Sequence, residues 1–218
     1  MRLTLIQDIA VWVLPLVFAI TVHEASHAWA ANRLGDPTAK ILGRLSFNPI
    51  RHIDLIGTII IPLAVAVLSN FHFVFGWAKP VPIDTRYFKK IRRDTALTAA
   101  AGPLSNVLML IGWALLLKMG IVFNFQYTMA GIFLILMAKA GILANAVLFA
   151  LNILPLPPLD GSKVLNSFLP VKYMKFMEYL EQYGLFLLII LLFTGVLGSI
   201  LMPLINGLIH IITAVFNL

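Results

Sequence analysis

Residues 128–154 carry a single charge, Lys139, and comparable apolar runs recur along the chain. About 20 such residues in a helix span the hydrocarbon core of a bilayer. Inside that core every backbone N–H and C=O must be satisfied within the protein, which an isolated segment achieves only as an α-helix. Further apolar runs cover residues 9–31, 55–68 (with Pro62 inside), 95–119 and 183–216. The last would be about 50 Å long as one helix, against a core of about 30 Å. It is therefore expected to break near Thr194-Gly195-Val196-Leu197-Gly198. Hydrophobic residues make up 61% of the 218 and charged residues only 11%, where soluble domains carry roughly a quarter. The expected fold is an all-α polytopic membrane protein of five to six transmembrane segments. Residues 1–218 are expected to form one integral-membrane domain, with a core at about 9–170 and C-terminal helices at about 176–218.

There are no cysteines, so thiolate metal sites and disulfides are excluded, and a metal would need His, Asp or Glu. The net charge of +7 comes without a stacking-rich basic patch, so nucleic acid is not an expected partner. In a membrane protein basic residues chiefly set orientation. Arg2, an apolar stretch and Ala28-Trp29-Ala30 imitate a signal peptide, but His23, Glu24 and His27 interrupt the stretch, so cleavage is not expected. If the segment at about 55–76 re-enters the membrane instead of crossing it, one side holds Arg33 to Arg51, Lys79 to Arg93, Lys163, Lys172 and Lys175. The other side then holds only Arg2 and Lys118. The positive-inside rule favours that split and makes the loop after the first helix cytoplasmic.

Ionisable groups in an apolar helix cost on the order of 3 kcal/mol each on insertion scales. The first helix holds three within His23-Glu24-Ala25-Ser26-His27. Spacing of i and i+4 puts both imidazoles on one face, where they can share a metal ion with Glu24 beside them. A catalytic zinc usually takes three protein ligands plus water. His52, His72 and His210 lie in loops or far along the chain. The better third ligand is Asp160, just after Pro155, Pro157 and Pro158 break the fourth helix. Read alone, Asp160-Gly161 is more often a turn than a ligand; beside the His pair it reads as a ligand. Ala101-Gly102-Pro103-Leu104-Ser105-Asn106 suits close helix packing, and Asn106 either bonds across that contact or takes a direct catalytic part. Asn152 is a candidate for holding a substrate carbonyl or oxyanion, or for bonding a neighbouring helix.

His-Glu-x-x-His in the first helix, Gly-Pro-x-x-Asn in a later one, and Asn-x-x-Pro followed by Leu-Asp-Gly together resemble the site-2 protease family of intramembrane metalloproteases. Gly43-Arg44-Leu45-Ser46-Phe47-Asn48-Pro49 and Phe75-Gly76-Trp77-Ala78-Lys79-Pro80-Val81-Pro82 look like its compact bacterial branch, without a PDZ or CBS domain. The resemblance covers about residues 9–170. It implies one zinc held by His23, His27 and Asp160, with Glu24 as the catalytic carboxylate. It also implies membrane-anchored protein substrates and a place in the cytoplasmic (inner) membrane, the site opening toward the cytoplasm. Asn106 and Asn152 match polar positions of the family motifs.

Residues 77–83, where Val81 and Ile83 alternate with Pro80 and Pro82, read as a short edge strand able to hold an unwound substrate by strand addition, or as an interfacial loop anchored by Trp77. Lys139 pairs with a carboxylate or snorkels. The run from Arg86 to Arg93 reads as an anchor on anionic lipid. Two rival functions use the same features. A metal transporter would need the ligands but not Glu24, and an inactive membrane binding protein would not need the complete ligand set.

Overall fold

The computed structural model describes residues 4–68 and 76–218. Its α-helices are α1 (Leu5–Leu34), α2 (Thr38–Ile41), α3 (Ile61–Leu68), α4 (Ile91–Val122), α5 (Met129–Asn152), α6 (Asp160–Phe168), α7 (Met174–Phe193) and α8 (Val196–Phe216). Local chemistry sets their ends. Thr4 and Gln7 form a reciprocal capping box at the start of α1, and Gly35 closes it in the left-handed conformation at φ 115°. The Thr128 side chain caps α5 by accepting from Gly131 N–H at 3.1 Å. Gly195, at φ 76°, separates α7 from α8, where the sequence analysis placed the break. Among the described residues, four helices are long and apolar enough to cross a membrane: Ile9–Leu34, Ile91–Val122, Met129–Asn152 and Val196–Phe216. Leu55–Ala64 and Tyr179–Phe193 are apolar but shorter.

Helices α1, α4 and α5 pack against one another, α6 lies on α4, and α8 lies on α5 and α4. The main core joins Leu110, Ala114 and Leu117 of α4 to Ala138, Ile142, Ala146 and Ala150 of α5 and to Ile205 and Ile212 of α8. Alanines on the α5 seam let the backbones approach closely, as membrane helix contacts require. Lys139 stands exposed between these seam positions. His27 meets Thr98 and His23 meets Asn106, so α1 and α4 run antiparallel. The connection from α1 to α4 thus begins and ends on one side, the arrangement that the distribution of basic residues favours.

Within that connection, a π-helical turn at Leu55–Ile60 leads into α3. Trp77 N–H donates to Gly57 C=O at 2.9 Å, and the Thr58 hydroxyl donates to Trp77 C=O at 2.9 Å. The excursion therefore leaves and returns at one point. Residues 69–75, with His72 and Phe75, lie outside the described residues, and so does that part of the expected re-entrant segment at 55–76. The expected edge strand at 77–83 does not form: no strand occurs among the described residues. Pro80 and Pro82 have no N–H to offer a ladder, and side chains take much of the remaining hydrogen bonding. Buried Arg44 donates to the carbonyls of Lys79 (2.7 Å) and Pro80 (3.3 Å). Lys79 N–H donates to His52 C=O at 2.9 Å, and Asp84 N–H to the Asp36 carboxylate at 2.8 Å. Hydrogen bonds from Arg86 hold the Asp84 carboxyl below the usual carboxylate range.

Two glycines test this packing with opposite signs. A Cβ at Gly141 would run into the Trp113 ring, whereas one at Gly112 meets nothing within 4 Å. Gly→Ala inside a helix ordinarily stabilises by about 0.5–1 kcal/mol. Gly112→Ala should raise the thermal midpoint in detergent, and Gly141→Ala should lower it, at an overpacking cost of about 1–3 kcal/mol.

Candidate metal centre

His23 and His27 lie one turn apart near the C-terminal end of α1, with their rings edge to face and 4.7 Å between centroids. Their Nε2 atoms are 3.1 Å apart, and each meets the same oxygen, Asp160 Oδ2, at 3.2 Å and 3.1 Å. All three side chains are buried. Asp160 reaches them because α5 stops at Asn152 and the proline-rich turn delivers it as the first residue of α6. Gly161 beside it faces the carbonyls of Ile153 and Leu154, leaving no room for a Cβ. Lys163, one turn along, approaches the other carboxylate oxygen, Asp160 Oδ1, at 3.5 Å.

The ring protons decide what this triangle can bind. His27 Nδ1 lies 2.7 Å from Thr98 C=O, which only accepts, so in the neutral ring Nδ1 donates there and Nε2 keeps its lone pair. His23 Nδ1 lies 2.6 Å from Asn106 Oδ1 and donates to it in the same way. Two imidazole lone pairs and a carboxylate can therefore converge on one point, the donor set a cation there requires. Tetrahedral zinc with bonds of about 2.0–2.1 Å needs ligand atoms roughly 3.3 Å apart, close to the observed 3.1–3.2 Å. Space is provided as well. Gly102 of α4 turns its bare Cα toward both rings, and a Cβ there would collide with His27 Nε2 and lie 2.7 Å from His23 Cε1. The residues fit a zinc ion in donor type, donor spacing and room.

These three side chains form part of the wall of a cavity of about 880 Å³, shared with Glu24, Asn152 and Lys163. Glu24 projects from α1 beside the His pair, and its Oε2 accepts from Val81 N–H at 3.0 Å. Asn152 lines the cavity while its Nδ2 donates to Leu148 C=O at 3.0 Å. Asn106 does not line it: fully buried, it spends one end of its amide on His23 and the other on Asn145. His52 is buried elsewhere, its Nε2 donating to Ser46 C=O at 2.8 Å, and His210 is exposed on α8. Sequence reasoning missed Thr98, whose contribution is a backbone carbonyl that no side-chain motif reports. It also missed Asn145, a buried polar residue in the apolar α5 whose signal was its cost there.

The class this geometry defines is a helical membrane protein with a buried His-His-Asp cluster that could hold a metal ion, beside a further carboxylate. Comparison with known proteins points to a metalloprotease family. The chain is 40% identical over 197 residues to a Bacillus subtilis (strain 168) protein named "Putative zinc metalloprotease YwhC", covering 89% of this chain and 85% of that one. It is 26% identical over 182 residues to "Putative zinc metalloprotease Rip2" of Mycolicibacterium smegmatis, covering 84% of this chain and 66% of the relative. It is 27% identical over 196 residues to the protein of the same name from Mycobacterium tuberculosis, covering 89% and 69%. No family profile matches the chain, and no solved structure does. The chain belongs to the site-2 protease family, in a compact form.

Gly102 supplies the test of this geometry. Gly102→Ala leaves every candidate ligand in place but fills the space between the rings. Zinc affinity, measured by chelator competition, should fall at least about tenfold, the lower end of the cost of disturbing a ligand's supporting shell, while helical content stays unchanged.

Proposed function

We propose that the protein is an intramembrane zinc endopeptidase that hydrolyses peptide bonds in or near the transmembrane segments of membrane-anchored proteins. The observation that carries this reading is Glu24, a carboxylate outside the ligand triangle yet on the wall of the same cavity. A transport or binding site has no need of a free carboxylate beside its ligands; hydrolysis needs a proton acceptor there.

His23, His27 and Asp160 hold one zinc per chain. When bound, zinc supplies Lewis acidity that brings the pKa of a water toward neutrality and polarises the scissile carbonyl. Glu24 takes the proton from the attacking water at its carboxylate and passes it to the leaving amine. The Val81 N–H on Oε2 fixes the orientation of that carboxylate. Asn152, on the cavity wall, is placed to steady the developing negative charge on the substrate carbonyl oxygen. The cavity opens toward the cytoplasm in the inner membrane, and the connection between α1 and α4 returns to the side it leaves. That orientation follows from the basic residues flanking the connection between α1 and α4, and the Gly57–Trp77 closure supports the return.

Two measurements test the reading. His23→Ala, His27→Ala and Asp160→Ala should each lower the zinc content of the purified protein from one per chain, while Glu24→Gln should retain it. The Glu24→Gln chain should cleave co-expressed membrane-anchored substrates about 10²–10⁴-fold more slowly and still capture them uncut. Cleavage near the wild-type rate would remove Glu24 as the base. For orientation, Lys89→Cys in this cysteine-free chain should resist an impermeant maleimide in intact cells and react after lysis; labelling from outside would reverse the topology.

A further inference from the structure

The two histidines have their tautomers set in different ways. His27 donates to a backbone carbonyl, which can only accept. His23 donates to a side-chain amide, and an amide can turn over. With Asn106 rotated half a turn, an N–H₂ would face His23 Nδ1. The ring would then carry its proton on Nε2, aimed at the metal position. Something must hold Asn106 the right way round.

Asn145 does this. It is fully buried on α5, as Asn106 is on α4. Asn145 Nδ2 donates to Gly141 C=O one turn earlier in α5, at 2.8 Å. That carbonyl only accepts, so the amide of Asn145 has one orientation, with Oδ1 turned away from Gly141. Oδ1 accepts from Asn106 Nδ2 at 3.0 Å, which leaves Asn106 Oδ1 for His23 Nδ1 at 2.6 Å. The chain of donors runs in one direction, from the ring of His23 to a carbonyl of α5, and a fixed backbone group at its far end determines every step. Asn145 is absent from the cavity wall, so its place is explained neither by substrate nor by direct ligation.

We propose that Asn145 is a positioning residue of the metal centre: acting through Asn106, it holds the proton of His23 on Nδ1 and keeps Nε2 free for zinc. The proposal rests on the metalloprotease reading for the identity of the ion, but the tautomer belongs to the metal-free protein and is measured there. The bland alternative is that the Asn106–Asn145 pair only joins α4 to α5, as polar pairs do in membrane bundles.

The experiment has two arms. In metal-free, ¹⁵N-histidine-labelled wild type, the ring nitrogen shifts of His23 should report a single tautomer protonated at Nδ1. The same spectrum of Asn145→Leu, a near-isosteric change, should report a mixture. Zinc affinity by chelator competition should fall about 10–100-fold in Asn145→Leu, the usual range for losing an outer-shell partner. Asn106→Asp removes the need for orientation, because both carboxylate oxygens accept. Adding Asn145→Leu to Asn106→Asp should therefore cost less than about threefold, well below the single-variant loss. An Nε2-protonated His23 in the wild type overturns the relay, and that spectrum judges it even if Asn145→Leu fails to fold. Equal losses from Asn145→Leu in both backgrounds would also overturn it, leaving helix packing alone. A wild-type chain that binds no zinc but shows the Nδ1 tautomer would defeat the metalloprotease reading and leave the relay standing.

Discussion

An imidazole can turn a lone pair toward a metal only if its other nitrogen has somewhere to put a proton. In an apolar interior the protein itself must supply that acceptor. Much of the architecture around the site follows from this. The antiparallel run of α1 against α4 brings Thr98 C=O to His27 and Asn106 to His23. Such close approach is possible because Gly102 has no side chain at the level of the rings. The third candidate ligand comes from neither α1 nor α4, whose facing sides carry the pair and its acceptors. It arrives by ending α5 with prolines and starting a new short helix at Asp160.

The carboxylate beside the ligands obeys the same rule. Glu24 takes its hydrogen bond from Val81, within a segment that has no regular structure. Irregular backbone at membrane depth is tolerated where protein or a water-filled cavity satisfies it, and here its partners are specific. Arg44 takes two carbonyls, His52 C=O takes the Lys79 N–H, and Asp36 takes the Asp84 N–H. Arg44, read from sequence only as part of a family-like stretch, is thus a buried cation that anchors the wall of the cavity.

Features governed by local rules could be read from the sequence. The i, i+4 pair follows from helical period, the end of α5 from three prolines, and the α7–α8 break from helix length against bilayer thickness. The shared side for both ends of the α1–α4 connection was also legible, because the distribution of basic residues favoured it. What escaped depends on tertiary partners. Thr98 acts through its backbone, Gly102 through a missing atom, and Asn145 through a second asparagine 39 positions away. The strand expected at 77–83 failed for a related reason. Alternation of Val81 and Ile83 with prolines is a strand pattern only if a neighbouring strand exists to pair with it, and Arg44 and Glu24 took up its polar groups instead.

That difference bears on how a substrate would be held under the proposed function. One turn of intact helix, 10–12 Å across and 5.4 Å in pitch, occupies roughly 400–600 Å³. A cavity of about 880 Å³ therefore admits less than three turns, far short of a spanning helix of about 30 Å. A helical substrate would have to enter in part, and because its carbonyls are held in its own hydrogen bonds that part would have to unwind before attack; unwinding frees amides and carbonyls that then need partners. The carbonyls of Lys79 and Pro80 each already accept from Arg44, and the Val81 amide is committed to Glu24. Strand addition to this segment would use the second lone pairs of those carbonyls and the groups near Ile83, or draw Val81 away from Glu24. In the second case, docking of the peptide and release of the carboxylate that accepts the water's proton would be a single event, so the base would be freed only when a substrate backbone had taken its place beside Val81.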